Sequence, residues 1–284
     1  MSVDAFESER PRLTAIAVRI LGSTAEAEDA VQETWLRLNG ADGVDDLPAW
    51  LTTVVTRLCL DQLRKHRTRS TAEYTAATTA ELTMPGLPAD PESDMVLAEQ
   101  IGDAMQVVLD TLAPAERAAF VLHDVFGYPF EDISTILGRS GTAVRQLASR
   151  ARRKVRGLPP DRAEEGVRAE SRNVVGAFLA AARGGDLTSL LTLLAPEAVM
   201  QVDAVGTRMG AEPVYQGAAA VASRFSGGAK RARVATIDGD PGLVWLAGGE
   251  VKVAFAFHLD AGLISEIELI ADPQVLAFLD VVPV

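Results

Sequence analysis

Four polar residues, Thr142, Arg145, Gln146 and Ser149, are spaced to share one face of a helix. Arginine and glutamine there can each place two hydrogen bonds on a base edge in the major groove. Arg150, Arg152, Arg153 and Lys154 follow, and their charges suit phosphates, which position a helix without specifying sequence. Residues 129–156 have the layout that such chemistry needs. Ile133, Ile136 and Leu137 form the apolar side of a first helix, Gly138 allows a tight turn and Ser140 caps a second helix. Val144, Leu147, Ala148, Ala151 and Val155 of that second helix face inward. The pattern is a helix-turn-helix, and its alternative is an ordinary basic amphipathic helix.

A second basic group, Arg57, Arg64, Lys65, Arg67 and Arg69, could also meet phosphates. Glu28, Asp29, Gln32 and Glu33 form an acidic and amide face suited to a partner helix bearing Arg and Lys; the alternative is a solvated face. The net charge is −12, which by itself argues against nucleic acid. Placement reverses that reading, because residues 139–160 hold seven basic residues and no acid, whereas 70–138 hold twelve acids and one arginine. The single cysteine, Cys59, sits among Leu58, Leu60 and Leu63 and reads as a core residue. One cysteine excludes an internal disulfide and a cysteine-rich metal site, and no metal or other cofactor is implied. No apolar run reaches the roughly 20 residues that a membrane-spanning helix needs, and the charged N-terminus lacks the apolar core of a signal peptide. A cytoplasmic location is expected.

Three segments must position these groups. Residues 1–69 carry a helical period, with Leu13, Ile16, Ala17 and Ile20 on one face, a stop at Gly22 and a capping start at Ser23 and Glu26. Pro48 suits the first turn of a third helix, and Trp50 on it is either a stacking platform or a core residue. Residues 70–93, with Pro85, Pro88 and Pro91, read as a linker. Residues 94–157 resume a helical pattern and contain the helix-turn-helix. From 168 to 284 two helices precede strand-like segments at 198–202, 233–237, 243–247, 251–259 and 263–270. Helices first and antiparallel strands after imply an α+β domain.

The stretch LDTLAPAERAAFVLHDVFGYPFEDISTILGRSGTAVRQLASRARRKVR (109–156) resembles region 4 of the extracytoplasmic-function sigma factors, which reads the −35 promoter element. AEDAVQETWLRL (27–38) and AWLTTVVTRLCLDQLR (49–64) resemble region 2 of the same family. The resemblance implies a multi-domain chain without catalytic residues, whose partners are core RNA polymerase and promoter DNA. Glu28, Asp29, Gln32 and Glu33 would dock on the β′ clamp helices, and the −35-reading domain would meet the β flap. Arg57, Arg64, Lys65 and Arg67 would serve the −10 region, where an unstacked base is captured. Thr142, Arg145, Gln146, Ser149, Arg150 and Arg153 would serve the −35 element. Leu58 stands where many members carry Asn, so any polar role of that residue is absent.

Residues 168–284 resemble the SnoaL-like, NTF2-like domains through GDLTSLLTLLAPEAVMQVDA (185–204), YQGAAAVASRF (215–225) and AGLISEIELIADPQVL (261–276). This implies a curved sheet wrapped by helices around a pocket, in contact with the sigma regions and modulating them. The pocket makes an unidentified small molecule a further expected partner. Ser226–Lys230 and Ala271–Leu276 are altered counterparts of two short motifs of the sigma subgroup with this fused domain. Asp203, Tyr215, His258, Glu266 and Glu268 are the polar candidates for acid–base chemistry. Glu266 and Glu268 alternate with Ile267 and Leu269 and are expected to face solvent, and His258 to be structural. Three hypotheses stand: a sigma factor, a ligand-sensing helix-turn-helix regulator that has no use for residues 1–69, and an enzyme with a DNA-binding appendage.

Overall fold

The spacing of Leu13, Ile16, Ala17 and Ile20 demands a helix with one buried face, and all four side chains are fully buried. The computed structural model describes residues 3–41, 43–73, 106, 108–158 and 162–283, with the side chains of 67–73, 162–165 and 283 outside the description. They form two compact units, Met1–Tyr128 with Arg150–Gly157, and Pro129–Ser149 with Leu158–Val284.

The first unit opens with helices α1 (Val3–Leu21), α2 (Thr24–Asn39) and α3 (Leu47–Glu73). Gly22 ends α1 in a left-handed conformation (φ 78°), and the Ser23 side chain caps α2 by accepting from the Glu26 N–H. The three helices pack around Phe6, Leu13, Ile16, Ile20, Leu51 and Leu60. Trp35 is half-buried against Phe6, with ring centroids 4.9 Å apart. Cys59 is fully buried, and burial pushes its thiol pKa up, so it fills core space as a neutral group. α3 continues through Glu73, into the stretch expected as a linker. Residues 74–93 of that stretch, and Met95, Ile101 and Met105 beyond it, lie outside the described residues. The unit continues with α4 (Pro114–Phe120) and a π-helical turn (Val121–Val125). Leu109 and Leu112 pack with Ala151 beside Phe120 and Val155.

The second unit begins with α5 (Phe130–Leu137), which stops at Gly138 in a left-handed conformation (φ 62°). α6 (Gly141–Val155) follows, its residues from Arg150 onward belonging to the first unit. Next come α7 (Arg162–Gly184) and α8 (Leu187–Leu193), the latter capped by Asp186 accepting from Ser189 N–H at 3.0 Å. The remaining elements are β1 (Leu194–Val202), α9 (Ala204–Arg208), β2 (Val214–Gln216), α10 (Ala218–Phe225), β3 (Ala232–Ile237), β4 (Asp240–Ala247), β5 (Glu250–Asp260), β6 (Leu263–Ile270), α11 (Pro273–Leu276) and β7 (Val281–Pro283). The seven strands form one sheet in the order β2-β1-β6-β5-β4-β3-β7, antiparallel except for the parallel pair β1–β6. This is the helices-then-sheet α+β architecture that the SnoaL-like resemblance implies.

Alternation along the strands gives the sheet two apolar faces. Ile267 and Leu269 join the larger cluster with Phe178, Leu190, Met200 and Phe257. Ile270 joins a smaller one with Ile237, Val244, Val275 and Leu276. Strand β1 starts at Leu194, ahead of the expected Ala198, because a register shift between Leu194 and Val199 lets it pass Pro196. Strands β2 and β7 have three residues each, too few for a period of two to show. Phe178 is fully buried and meets Phe225 and Phe257 edge-on, at 4.9 and 5.3 Å between centroids. Phe178→Ala is expected to cost about 3–5 kcal/mol, measured by chemical denaturation of the whole chain.

Candidate nucleic-acid interface and its contact with the sheet

Helix α6 exposes Thr142, Arg145 and Ser149 and half-buries Gln146, while Val144, Leu147, Ala148 and Ala151 are buried. The apolar period therefore turns the four base-reading candidates away from the core. The cations are engaged by nearby acids. Arg145 donates to Glu131 at 3.2 Å, and its guanidinium lies 5.7 Å from the Phe130 ring centroid. Arg150 and Lys154 both donate to the buried Glu116, at 3.2 and 2.6 Å, and Arg152 donates to Asp124 at 2.7 Å. Glu116 also accepts from the Ala113 N–H at the start of α4. The Arg150 side chain is only 11% exposed, so a phosphate would have to draw it from Glu116. Arg153 is half-buried.

The turn before α6 is held by a buried ionic network. Arg139 and Glu268 are both buried there, and Arg139 Nε donates to Glu268 Oε2 at 3.1 Å. Arg139 Nη1 donates to the buried Asp238. The same Glu268 carboxylate accepts from Ser140 N–H at 3.2 Å and from Ser140 Oγ at 2.8 Å. His258 Nε2 lies 2.6 Å from Glu268 Oε1. Ser140 Oγ also accepts from Ala143 N–H at 3.2 Å, so one hydroxyl caps α6 and reaches the sheet. Asp238 is itself fixed, with positive φ (50°), accepting from Asp280 N–H at 2.9 Å. A side chain at Gly138 would place its Cβ 2.6 Å from Val275 Cγ2, so glycine serves both the left-handed turn and the close approach.

Burial raises the Glu268 pKa, but Arg139, then His258 and Ser140, outweigh it, so the carboxyl is held well below the usual range. Burial likewise disfavours charged Arg139, yet Glu268 and Asp238 leave its pKa above the ordinary value. The expectation that Glu268 faces solvent is thus overturned. The alternation with Ile267 and Leu269 holds, but the face Glu268 occupies is covered by Arg139 and Ser140. Glu266 stays partly exposed and accepts from Gln201 at 3.0 Å.

In the first unit, Glu28, Asp29 and Gln32 are exposed on α2, and Glu33 pairs with Arg37 at 3.0 Å. Leu36 is 58% exposed and lies one turn beyond Gln32, next to this face. The sequence reading missed it, although its place at four-residue spacing after Glu28 and Gln32 was the available signal. On α3, Arg57 is half-buried, Arg64 exposed, and Lys65 pairs with Asp61 at 2.5 Å. The side chains of Arg67 and Arg69 lie outside the described residues. Arg117, buried on α4, donates to the Ile20 carbonyl at 3.0 Å and to Asp110 at 2.7 Å. Burial lowers its pKa, and Asp110 only partly offsets this. Arg12 adds a second tie by donating to Tyr128 Oη and, at 2.9 Å, to Thr52 Oγ1. These bonds join helices α1 and α3 to the segment that precedes the helix-turn-helix.

The acid–base candidates do not converge. Asp203 caps α9 by accepting from Gly206 N–H at 2.7 Å, and its other oxygen accepts from the Ala271 and Asp272 N–H groups at 2.6 Å. Tyr215 Oη accepts from Glu212 N–H at 2.9 Å. The unit has a cavity of about 460 Å3, and none of Asp203, Tyr215, His258, Glu266 and Glu268 lines it. Among the described residues no cluster fit for a metal ion occurs, and no helix is long and apolar enough to cross a membrane.

A helix-turn-helix that follows three packed helices and precedes a seven-stranded sheet defines the class, a DNA-binding protein with a fused α+β domain. Residues 5–69 match the family described as sigma-70 region 2, and residues 102–155 match sigma-70, region 4. ECF RNA polymerase sigma factor SigJ of Mycobacterium tuberculosis is 44% identical over 216 residues, spanning 72% of this chain and 66% of that protein. The probable ECF sigma factor SigI of the same organism is 32% identical over 277 residues, 96% of this chain and 93% of that one. The crystal structure of SigJ aligns over 98% of this chain and 99% of that chain at 33% identity, with a TM-score of 0.39. The chain belongs to the extracytoplasmic-function family of RNA polymerase sigma factors.

Two outcomes follow from the buried network. Arg139→Ala leaves Glu268 and Asp238 buried without their cation, and is expected to destabilise the second unit by about 3–5 kcal/mol in denaturant titrations. Because the folded pKa of Glu268 is depressed, its contribution is complete above about pH 4.5 and is lost as pH falls toward its folded value. Glu268→Gln should therefore flatten the acid limb of stability measured between about pH 3 and pH 7.

Proposed function

We propose that this sigma factor uses residues 1–69 for core polymerase and the −10 element, residues 94–157 for the −35 element, and residues 168–284 to restrain the helix-turn-helix. The restraint is the contact of Arg139 and Ser140 with Glu268. A helix N-terminus is an anion site by virtue of its free N–H groups and dipole. Glu268 occupies that site at the head of α6, where a promoter phosphate would otherwise bind. DNA and the C-terminal sheet then compete for one set of donors. The engagement of Arg145, Arg150, Arg152 and Lys154 by acids supports the same resting state.

In this reading Glu28, Asp29, Gln32 and Glu33, with Leu36 beside them, meet the β′ clamp helices. The −35-reading module meets the β flap. Arg57, Arg64, Lys65 and Arg67 track the −10 strand. Thr142, Arg145, Gln146 and Ser149 read bases, with Arg150 and Arg153 on phosphates. The protein acts in the cytoplasm, carries out no catalysis of its own, and takes a small molecule in its C-terminal domain. The alternation of apolar and acidic residues on β6 supports a sheet that serves both the domain core and the turn.

Run-off transcription with purified core polymerase tests this. The wild-type chain should direct promoter-specific transcripts, and Arg145→Ala/Gln146→Ala should reduce them by about 10- to 100-fold, the loss of one or two base contacts. Glu268→Ala should raise transcription at limiting template and increase affinity for a −35 duplex. An unchanged duplex affinity with normal transcription would overturn the restraint while leaving the sigma assignment intact.

A further inference from the structure

The cavity of about 460 Å3 lies within the size range of small-molecule sites, about 300–1,000 Å3. Its wall is mainly apolar, with Met200, Leu243 and Phe255 among the lining residues. Arg224, Lys230 and Arg231 also line it, and no Asp or Glu does. All three cations are exposed, and none is ion-paired among the described residues. Lys230 closes the Ser226–Lys230 loop, whose Gly228 and Ala229 also line the cavity. The sequence singles out this loop, and the promoter-reading machinery leaves it unused.

We infer that this cavity binds a small amphipathic anion, an apolar body carrying one carboxylate or similar group. The body is driven out of water onto the apolar wall. The anionic end stays near the three cations, where charge-assisted hydrogen bonds are available and no carboxylate competes. A neutral molecule of the same shape would leave that charge field unused. A second anionic group would have to lie against apolar wall. Leu269 lines the cavity while Glu268, its neighbour on β6, holds Arg139 on the opposite face. Regulation through that strand rests on the restraint proposed above; the binding site itself does not.

The test is calorimetric titration of the full chain with decanoate and with decanol, alongside Trp245 fluorescence, since Trp245 lines the cavity. Saturable 1:1 binding of decanoate, with decanol weaker by on the order of tenfold or more, is expected. Arg224→Ala/Lys230→Ala changes exposed side chains only. It should weaken decanoate by a similar factor and leave decanol unchanged, and Trp245→Phe should abolish the fluorescence change while retaining the heat. No saturable decanoate binding, or decanol binding as tightly, would overturn the inference. Co-sedimentation with phosphatidylglycerol vesicles in place of decanoate binding would also overturn it, by assigning the basic rim to a lipid surface. Because binding is read without polymerase, it can fail while the Glu268 restraint stands, and the reverse.

Discussion

The second unit is organised around one buried charge pair, Arg139 with Glu268. Two ions taken out of water require close geometry and satisfied remaining valences. Here Asp238 meets the other arm of the guanidinium, while Ser140 and His258 take up the carboxylate. The neighbouring residues serve this arrangement: Gly138 permits the approach, Val275 packs against it and Asp280 holds Asp238. The pair is specific because its parts fit nothing else in a sheet face otherwise packed with Ile237, Val244 and Ile270. Nonpolar residues of similar volume would suit stability as well.

The first unit shows another use of a buried arginine. Arg117 reaches the carbonyl of Ile20 at the end of α1, where helix carbonyls lack intrahelical donors. With Arg12, Thr52 and Tyr128 it binds the helices of region 2 to the start of region 4.

Much of this was legible in the sequence. Helical period, Gly22, Ser23 and Pro48 placed the first three helices, and Gly138 with Ser140 placed the turn. Turn residues at 248–249 and 260–262 bounded the long strands, whereas Asp240, Pro241 and Gly242, whose types suggest a turn, pair with β3 inside β4, and the turn falls at Asp238 and Gly239. The short elements β2, β7, α9 and α11 were not legible, because three to five residues carry too few side chains for a period to register. The fate of Glu268 was half legible. Alternation assigns it to the face opposite Leu269, but what covers that face depends on a residue distant in sequence, Arg139. Pairings such as Arg152 with Asp124 or Lys154 with Glu116 have the same character. The acidic segment was visible, its individual partners were not.

Strand β6 carries two assignments at adjacent positions, an ionic one at Glu268 and an apolar one at Leu269. Its pairing with β5 is regular from Ile270 back to Glu266, with a shift only beyond His258. Sliding the strand by a single position would send the carboxylate into the apolar wall and present leucine to a guanidinium. Insertions and deletions are therefore barred from this short stretch, even though the hairpin loop at 260–262 a few residues away could absorb them. The irregular pairing near His258 gives the outer part of the hairpin room to vary in length while the inner register stays fixed.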